Sequence, residues 1–379
     1  MKKVAHILSY FPGQEGLTSF CRGLGKAFEE IDDIEVPIIS FRGKPTRSSG
    51  EKNPPLLKFP HQRKHPFDLP KSFLSALDSG DLVLDGAVLH GTYSPQVFSL
   101  AKVLNKRRIP YIFMPHDPYA LDLKRHRAIR KFVYWHLCEK WVINHAAAVQ
   151  LLSEKHESPL REMGVSAPVF TVANGCHPRD RNFIDADARV PGQSDDFVIQ
   201  YLGRMDRNHK GLDLLIRGFA KFLSKLDHPQ NKTLQLSGND WVDRPFLEDL
   251  VSNLGISDRV RFTGRIPEHS VTVHSRADLS VLCSRFDGFG LTIVEAMVAG
   301  RPILVSRQAG VSSFVEQAKA GFLVEPQAES IAEGLLEAWR SRWALAAMGK
   351  RGQDFVCEHL TWKSVAQKSL ETYRFVFGI

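Results

Sequence analysis

Two carboxylates with glycines between them carry the most pointed chemistry in this chain. Asp287 and Glu295 have seven residues between them, and Gly288, Phe289, Gly290 and Leu291 follow Asp287 directly. A glycine lets a ligand approach the backbone closely, and amides where a loop turns into a helix can face an anion. Because the glycines break the helix, the two acids need not share one helical face. They can hold two parts of one ligand. Arg204 follows Gly203, and Lys210 precedes Gly211. Two fixed cations of this kind offset the negative charge that gathers on a departing phosphate. His116 sits in Pro115-His116-Asp117-Pro118, where an imidazole can give or take a hydrogen bond near neutral pH.

Asp287-x7-Glu295, with Phe289-Gly290 inside it, resembles the E-x7-E signature of the family-4 retaining glycosyltransferases of GT-B fold, with Asp in place of the first Glu. Gly203-Arg204 with Lys210-Gly211, and Gly264-Arg265-Ile266, are similar to further elements of that family. The resemblance implies that Glu295 holds the ribose of a UDP- or GDP-sugar, and that Arg204 and Lys210 hold its diphosphate. Asp287 and the backbone of Gly288, Phe289, Gly290 and Leu291 would meet the donor sugar and the phosphates. Arg265 and Ile266 would lie against the base, and Gly16 would face the phosphates and the acceptor from the first loop. His116 would reach the sugar from the N-terminal domain. His116, Asp287, Arg204 and Lys210 are then the catalytic set. A hexosyl group would pass to a hydroxyl of a glycan, a polysaccharide precursor or a lipid-linked acceptor, with retention at the anomeric carbon and without metal or cofactor. Two other readings stay open: a catalytically weak or inactive nucleotide-sugar-binding protein, and an epimerase of GT-B-related fold.

The remaining elements must position these groups. A strand over residues 279–283, the glycine loop and a helix over 292–298 ending at Gly300, with Pro302 beyond it, form one strand–loop–helix unit. Strands over 4–10, 35–41, 85–90, 110–114, 147–152 and 169–172 alternate with helices over 17–30, 95–106 and 121–148, which predicts a doubly wound parallel sheet. His116 then stands beyond the C-terminal end of a strand, where open α/β sheets place ligands. Residues 42–70 are basic and rich in proline and read as a loop or lid. Strands over 197–202, 234–237, 259–262 and 302–306, and a helix over 212–223, build a second sheet. The fold class expected is α/β, with two Rossmann-like domains facing a cleft. The N-terminal domain spans 1–178, a linker 179–196 and the nucleotide-sugar domain 197–360. A last helix in 361–379 crosses back to the N-terminal domain, as the resemblance implies. Asp185-Ala186-Asp187 has the spacing of a metal-binding pair but lies in linker-like sequence, and it reads as chance.

Composition narrows the class. The 379 residues suffice for two cores. Cys21, Cys138, Cys176, Cys283 and Cys357 are scattered and contain no C-x-x-C pair, which argues against a disulfide framework or a zinc site and for a reducing, cytoplasmic setting. No apolar run approaches the roughly 20 residues of a membrane span. Residues 1–175 hold 24 Lys and Arg against 17 Asp and Glu, and the remainder 26 against 25, so the basic excess is N-terminal. Within 121–148, Lys124, Arg125, Arg127, Arg130 and Lys131 accompany Phe132, Tyr134, Trp135 and Trp141. One reading is a helix lying peripherally on an anionic inner membrane face; the other is a core helix with a solvated, charged end. No nucleic-acid-binding module is recognisable.

Overall fold

The apolar runs pair as parallel strands in two separate sheets, each buried by helices, as parallel sheets require. The computed structural model describes residues 2–8, 15–31, 34–41, 56–59, 65–116, 119, 128–239 and 243–379. It divides into two compact units: Met1–Gly175 with Trp362–Ile379, and Cys176–Thr361. Residues 179–196, expected as a linker, therefore belong to the second unit. Their polar side chains have partners there. Arg189 donates to the fully buried carboxylate of Asp278 at 2.9 Å, and the Gly192 amide donates to the same group at 3.0 Å.

The first unit contains β1 (Lys2–Leu8), α1 (Glu15–Glu29), β2 (Ile34–Glu35), β3 (Ile38–Ser40), β4 (Leu56–Lys58), α2 (Lys71–Ser79), β5 (Gly86–His90), α3 (Pro95–Lys106) and β6 (Tyr111–Met114). Then follow α4 (Ala128–Tyr134), one stretch of π-helix (Trp135–Glu139), α5 (Lys140–Asn144), β7 (Ala148–Leu151), α6 (Glu157–Glu162) and β8 (Val169–Thr171). The parallel order is β4-β3-β1-β5-β6-β7-β8, with β2 also on β1. Four sequence expectations change here. The strand over 35–41 is broken into β2 and β3 at Pro37, which has no N–H to give to the ladder; its carbonyl still accepts from the His6 amide at 2.9 Å. The stretch 42–70 contains β4, a three-residue edge strand whose Leu56 and Leu57 sit beside β3; an edge tolerates nearby prolines that a central strand would not. The helix expected over 121–148 is described from Ala128, widens to a π-helix over Trp135–Glu139, and ends with α5 at Asn144, short of β7. Gly16 falls in the first turn of α1 rather than in the loop before it, and residues 9–14 of that loop lie outside the described residues.

The C-terminal helix, Trp362–Phe377, belongs to the first unit because glycines make room for it. A Cβ on Gly23 would come within 2.2 Å of the Trp362 ring, and one on Gly86 within 2.8 Å of Phe377. Tyr373 stacks on Phe28 with centroids 5.7 Å apart.

The second unit contains β9 (Phe197–Leu202), α7 (Arg207–Lys210), α8 (Leu212–Leu223), β10 (Lys232–Ser237), α9 (Arg244–Asn253), β11 (Val260–Gly264), α10 (Ser270–Ser275), β12 (Leu279–Leu282), α11 (Leu291–Val298), β13 (Ile303–Ser306), α12 (Ser312–Gln317), β14 (Gly321–Val324), α13 (Ala328–Arg340) and α14 (Leu345–His359). With α15 for Trp362–Phe377, the α-helices are complete among the described residues. The strand order is β11-β10-β9-β12-β13-β14, all parallel. The order reverses between β9 and β12. Such a switch point opens a crevice beyond the strand ends.

Candidate functional site

Both β9 and β12 deliver their loops to that switch point. After β9, Gly203 and Arg204 lead into the four-residue α7, whose N-cap Asp206 accepts from the amides of Asn208 and His209, both at 2.9 Å. Gly211 ends α7 in the left-handed region at φ 65°, and a Cβ there would meet the Cys283 carbonyl at 2.3 Å. Only glycine permits this approach, and it brings the β9 loop onto the loop that follows β12. The Arg285 amide donates to the His209 carbonyl at 2.8 Å, and the Arg285 guanidinium grips Asp213 with two bonds of 2.7 and 2.8 Å. A bidentate pair of this kind fixes direction as well as distance.

Lys210 and Asp287 meet as a result. Nζ of Lys210 donates to Oδ2 of Asp287 at 2.5 Å, and the carboxylate is 8% exposed. Asp287 also accepts from Ser284 at 3.4 Å and, through Oδ1, from the Phe289 amide at 3.2 Å. Gly290, at φ 97°, caps α11, while Gly288 lies tight against Gly310 and Phe289 is buried. Arg204 stays largely in solvent and pairs with Asp206 at 3.0 Å. Leu291 opens α11, and Glu295 lies one turn on, half-buried. Burial pushes the Glu295 carboxyl up to about 7, against a hydrogen bond from Ser270 that favours the charged form and with the negative charge of Asp180 adding to the rise. Among the described residues Glu295 has no cation at ion-pairing distance. Arg265 and Ile266, beyond β11, line a cavity of about 330 Å³ together with Gln200, Gln235 and Thr263.

The first unit has its own switch point, between β1 and β5. His116 stands just beyond β6 with φ 65°, a left-handed conformation that costs a side-chain-bearing residue energy and persists where the surroundings dictate it. Its Nε2 lies 2.7 Å from Nδ1 of His90, the last residue of β5. Burial pushes the His116 imidazole down to about 4. Asp117 lies outside the described residues. Nearby in the chain, Glu139 closes the π-helix. Its buried carboxylate accepts from the Tyr93 amide at 2.9 Å and the Tyr119 hydroxyl at 2.6 Å, and burial pushes it up to about 7 against those bonds.

The structure thus joins Lys210 to Asp287 and places Arg204, Glu295, Arg265 and Ile266 in the same unit. His116 and Gly16 lie in the other. Asp185 and Asp187 form no paired site: Asp185 binds Arg276 at 2.6 Å and the Asp187 amide at 3.1 Å. Sequence reasoning passed over His6, His90 and Glu139. The signal was present in two of them. His6 is a polar residue inside a continuous apolar strand, and Glu139 falls four residues after Trp135 and three before Val142, at a core position of its helix. The helical surface is equally telling: Ile129, Phe132, Val133 and Leu137 are exposed, on one face by spacing, while Trp135 and Cys138 are buried. Among the described residues no helix is long and apolar enough to cross a membrane.

Two family models match the chain. Residues 22–175 match a glycosyl transferase 4-like domain, and residues 183–355 match glycosyl transferases group 1. A D-inositol 3-phosphate glycosyltransferase of Corynebacterium urealyticum is 28% identical over 257 residues, covering 63% of this chain and 59% of that protein. The chain spans about half the length of the curated relatives it matches. Sucrose-phosphate synthase of Thermosynechococcus elongatus superposes with a TM-score of 0.79 at 22% identity, covering 100% of both chains. HepE of Anabaena, in a complex with UDP-glucose, does so with 0.75 at 18% identity, covering 99% of this chain and 100% of that one. These likenesses identify the fold as GT-B.

Proposed function

We propose that this chain, which belongs to the glycosyltransferases through both of its units, moves a hexosyl group from a nucleoside-diphosphate sugar to an acceptor hydroxyl with retention at the anomeric carbon. The observation that carries the reading is the Lys210–Asp287 pair at the β9/β12 switch point. A donor offers each partner something better matched. Its diphosphate draws Lys210 and Arg204, and its sugar hydroxyls draw Asp287. Glu295, with its raised carboxyl and no cation at hand, suits a ribose diol, which donates two O–H groups. The cavity at Arg265 and Ile266 suits a nucleobase. HepE was solved with UDP-glucose, which favours a UDP-sugar over a GDP-sugar.

In the step itself the acceptor oxygen bonds to the anomeric carbon on the face that the leaving group departs. The bond from that carbon to the phosphate oxygen breaks, and the same phosphate takes the acceptor proton. Arg204 and Lys210 hold the growing charge in place. With Lys210 held on Asp287 and Arg204 on Asp206, the reading assigns the charge to these two cations rather than to a metal. His116 bonds a sugar hydroxyl, and the Gly16 turn belongs to the acceptor side. The acceptor is a glycan or a lipid-linked hydroxyl. The exposed Ile129, Phe132, Val133 and Leu137, beside Arg130, favour the lipid-linked class at an anionic membrane surface. Sedimentation with vesicles containing anionic lipid checks this, and Leu137→Asp should abolish it; equal sedimentation of both proteins would remove the membrane from the proposal.

The test of the main reading is a melting panel of nucleotides and nucleotide sugars, with and without EDTA. A true donor at about 100 times its dissociation constant should add about 2.7 kcal/mol. A shift with one base family, unaltered by EDTA, is the expected result. No shift with any nucleotide would overturn the proposal.

A further inference from the structure

A line of buried side chains runs through the first unit and ends on His116. The Tyr373 hydroxyl lies 2.9 Å from Nε2 of His6, Nδ1 of His6 lies 2.9 Å from Nε2 of His90, and Nδ1 of His90 lies 2.7 Å from Nε2 of His116. The His6 and His90 rings are 5.0 Å apart, as are those of His90 and His116. Tyr373, His6 and His90 are at most 3% exposed.

Hydrogen-bond arithmetic restricts such a line. A neutral imidazole has one N–H and one bare nitrogen. A ring bonded through both nitrogens must therefore donate on one side and accept on the other. The three rings share one polarity, and fixing one end fixes all. The buried end is a phenol. Among the described residues its hydrogen-bond partner is His6, and an O–H without an acceptor in a dry core carries the full cost of its desolvation. The hydroxyl accordingly donates to Nε2 of His6. His6 then donates from Nδ1 to His90, and His90 donates from Nδ1 to Nε2 of His116.

We propose that Tyr373, His6 and His90 are positioning residues that fix the tautomer of His116, so that its Nδ1 carries the proton and the ring presents an N–H donor at the end of β6. This rests on the reading of His116 as a sugar contact. It sharpens that reading: His116 gives a hydrogen bond to the sugar and does not act as a base at Nδ1. Burial keeps the rings neutral, as the line requires; it lowers His6 to about 3, with the charge of His116 adding to the shift, and lowers His90 well below its ordinary value. His116 makes this contact from a left-handed backbone, at φ 65°.

A different occupant is possible on the same residues. The ligand atoms of His6, Cys21 and His90 lie within 4.8 Å of one another. A metal ion there would take the lone pairs that the line uses. The facing nitrogens of His6 and His90 are already at hydrogen-bond distance, and burial pushes the Cys21 thiol up, away from thiolate. The line is thus the better account.

The test is long-range proton–nitrogen spectroscopy of the histidine rings in the full chain at neutral pH, with His116 assigned from His116→Gln. A protonated Nδ1 and a bare Nε2 on His116 are expected. Tyr373→Phe keeps the ring that packs on Phe28 but removes the donor, and should convert the His116 signals to a mixture of tautomers. Should that variant fail to fold, His6→Leu cuts the line one ring closer and should do the same. A protonated Nε2 in the unaltered chain overturns the proposal, as do tautomer signals untouched by either variant. A stoichiometric metal ion in the purified protein, lost in Cys21→Ala, overturns it as well. The spectrum requires no turnover. If His116→Ala left transfer intact, the sugar contact would fall while the tautomer result stood.

Discussion

The two units carry related doubly wound sheets but equip their switch points in opposite ways. In the second unit, the groups beyond the strand ends are charged and come after the strands: Arg204 and, closing α7, Lys210 after β9, and Asp287 after β12. In the first unit, the groups are imidazoles, set partly within the strands, and burial holds them neutral. The formal charge runs the other way, since the N-terminal half holds the basic excess. Net charge therefore says little about where an anion binds. On the proposed function, what decides is whether a cation is held near a strand end, as Lys210 is on Asp287. On that same function, one unit holds phosphate and the other offers a directed hydrogen bond to a neutral hydroxyl.

The sharpest way to break this contrast is to remove one group from each side. Lys210→Met should lower kcat by about 10²–10³-fold, as expected for removal of a fixed group that meets developing charge, and should also weaken the nucleoside diphosphate alone. His116→Ala should lower kcat by roughly 10²-fold and leave the affinity for the nucleotide alone unchanged. Steady-state kinetics and calorimetric titration with UDP separate the two. If His116→Ala weakened UDP as much as Lys210→Met does, the units would not divide the work as argued.

Glu295→Ala tests the same division within the second unit. A hydrogen bond to a charged group is worth about 1.5–3 kcal/mol, so UDP should bind roughly 10- to 100-fold more weakly. The deoxyribose analogue should then bind the variant as well as UDP does. A variant that still discriminates between the two would place the ribose elsewhere.

The contrast was only half legible in the sequence. The second unit read well because each of its groups follows a local signal: an apolar strand, then a glycine, then the charged residue. The strand Phe197–Leu202 and the helices Pro95–Lys106 and Leu212–Leu223 fall where periodicity places them. His116 was visible at a strand end. Its support was not, because His6, His90 and Tyr373 come from places up to 367 residues apart, and only the folded sheet with α15 on it brings them together. Arg189 and Asp278 hid for the same reason: a polar stretch reads as linker unless its distant partner is known. The π-helix at Trp135–Glu139 keeps a helical pattern of residues and leaves no separate mark in composition.

Acid should expose the neutral imidazoles. The ordinary histidine value is 6.5; folded His6 lies at about 3, His116 at about 4, and His90 well below 6.5. Between these values the unfolded chain takes up protons that the folded chain refuses, so stability is complete above pH 6.5 and falls as pH drops below it. Each such group contributes a slope of about 1.4 kcal/mol per pH unit. Glu139, raised from 4.5 to about 7, works in the opposite sense over pH 7 to 4.5, because its folded form gains the proton first. In the second unit the balance is one against one: buried His274, lowered to about 3, against Glu295, raised to about 7. From pH 6.5 to 4.5 the first unit should therefore lose protection against hydrogen exchange while the second changes little. Equal losses in β5 and β12 would show that the imidazoles do not set the first unit's acid response.

The smallest effect concerns the length of the Asp287 side chain. The short carboxylate spends Oδ1 on the Phe289 amide of its own loop and Oδ2 on Lys210. Asp287→Glu moves the carboxylate outward by about one carbon–carbon bond, roughly 1.5 Å, and releases the Phe289 amide. If Asp287 meets the sugar, the longer acid should change the preference among UDP-hexoses by a few-fold and leave UDP alone bound as before. If Asp287 serves only to hold the loop that starts α11, the variant should melt earlier and bind UDP and every UDP-hexose more weakly by one common factor. Ratios of kcat/KM for several hexoses, set beside UDP affinity, distinguish these. Only the first outcome agrees with Lys210 and Asp287 parting to take different halves of one donor.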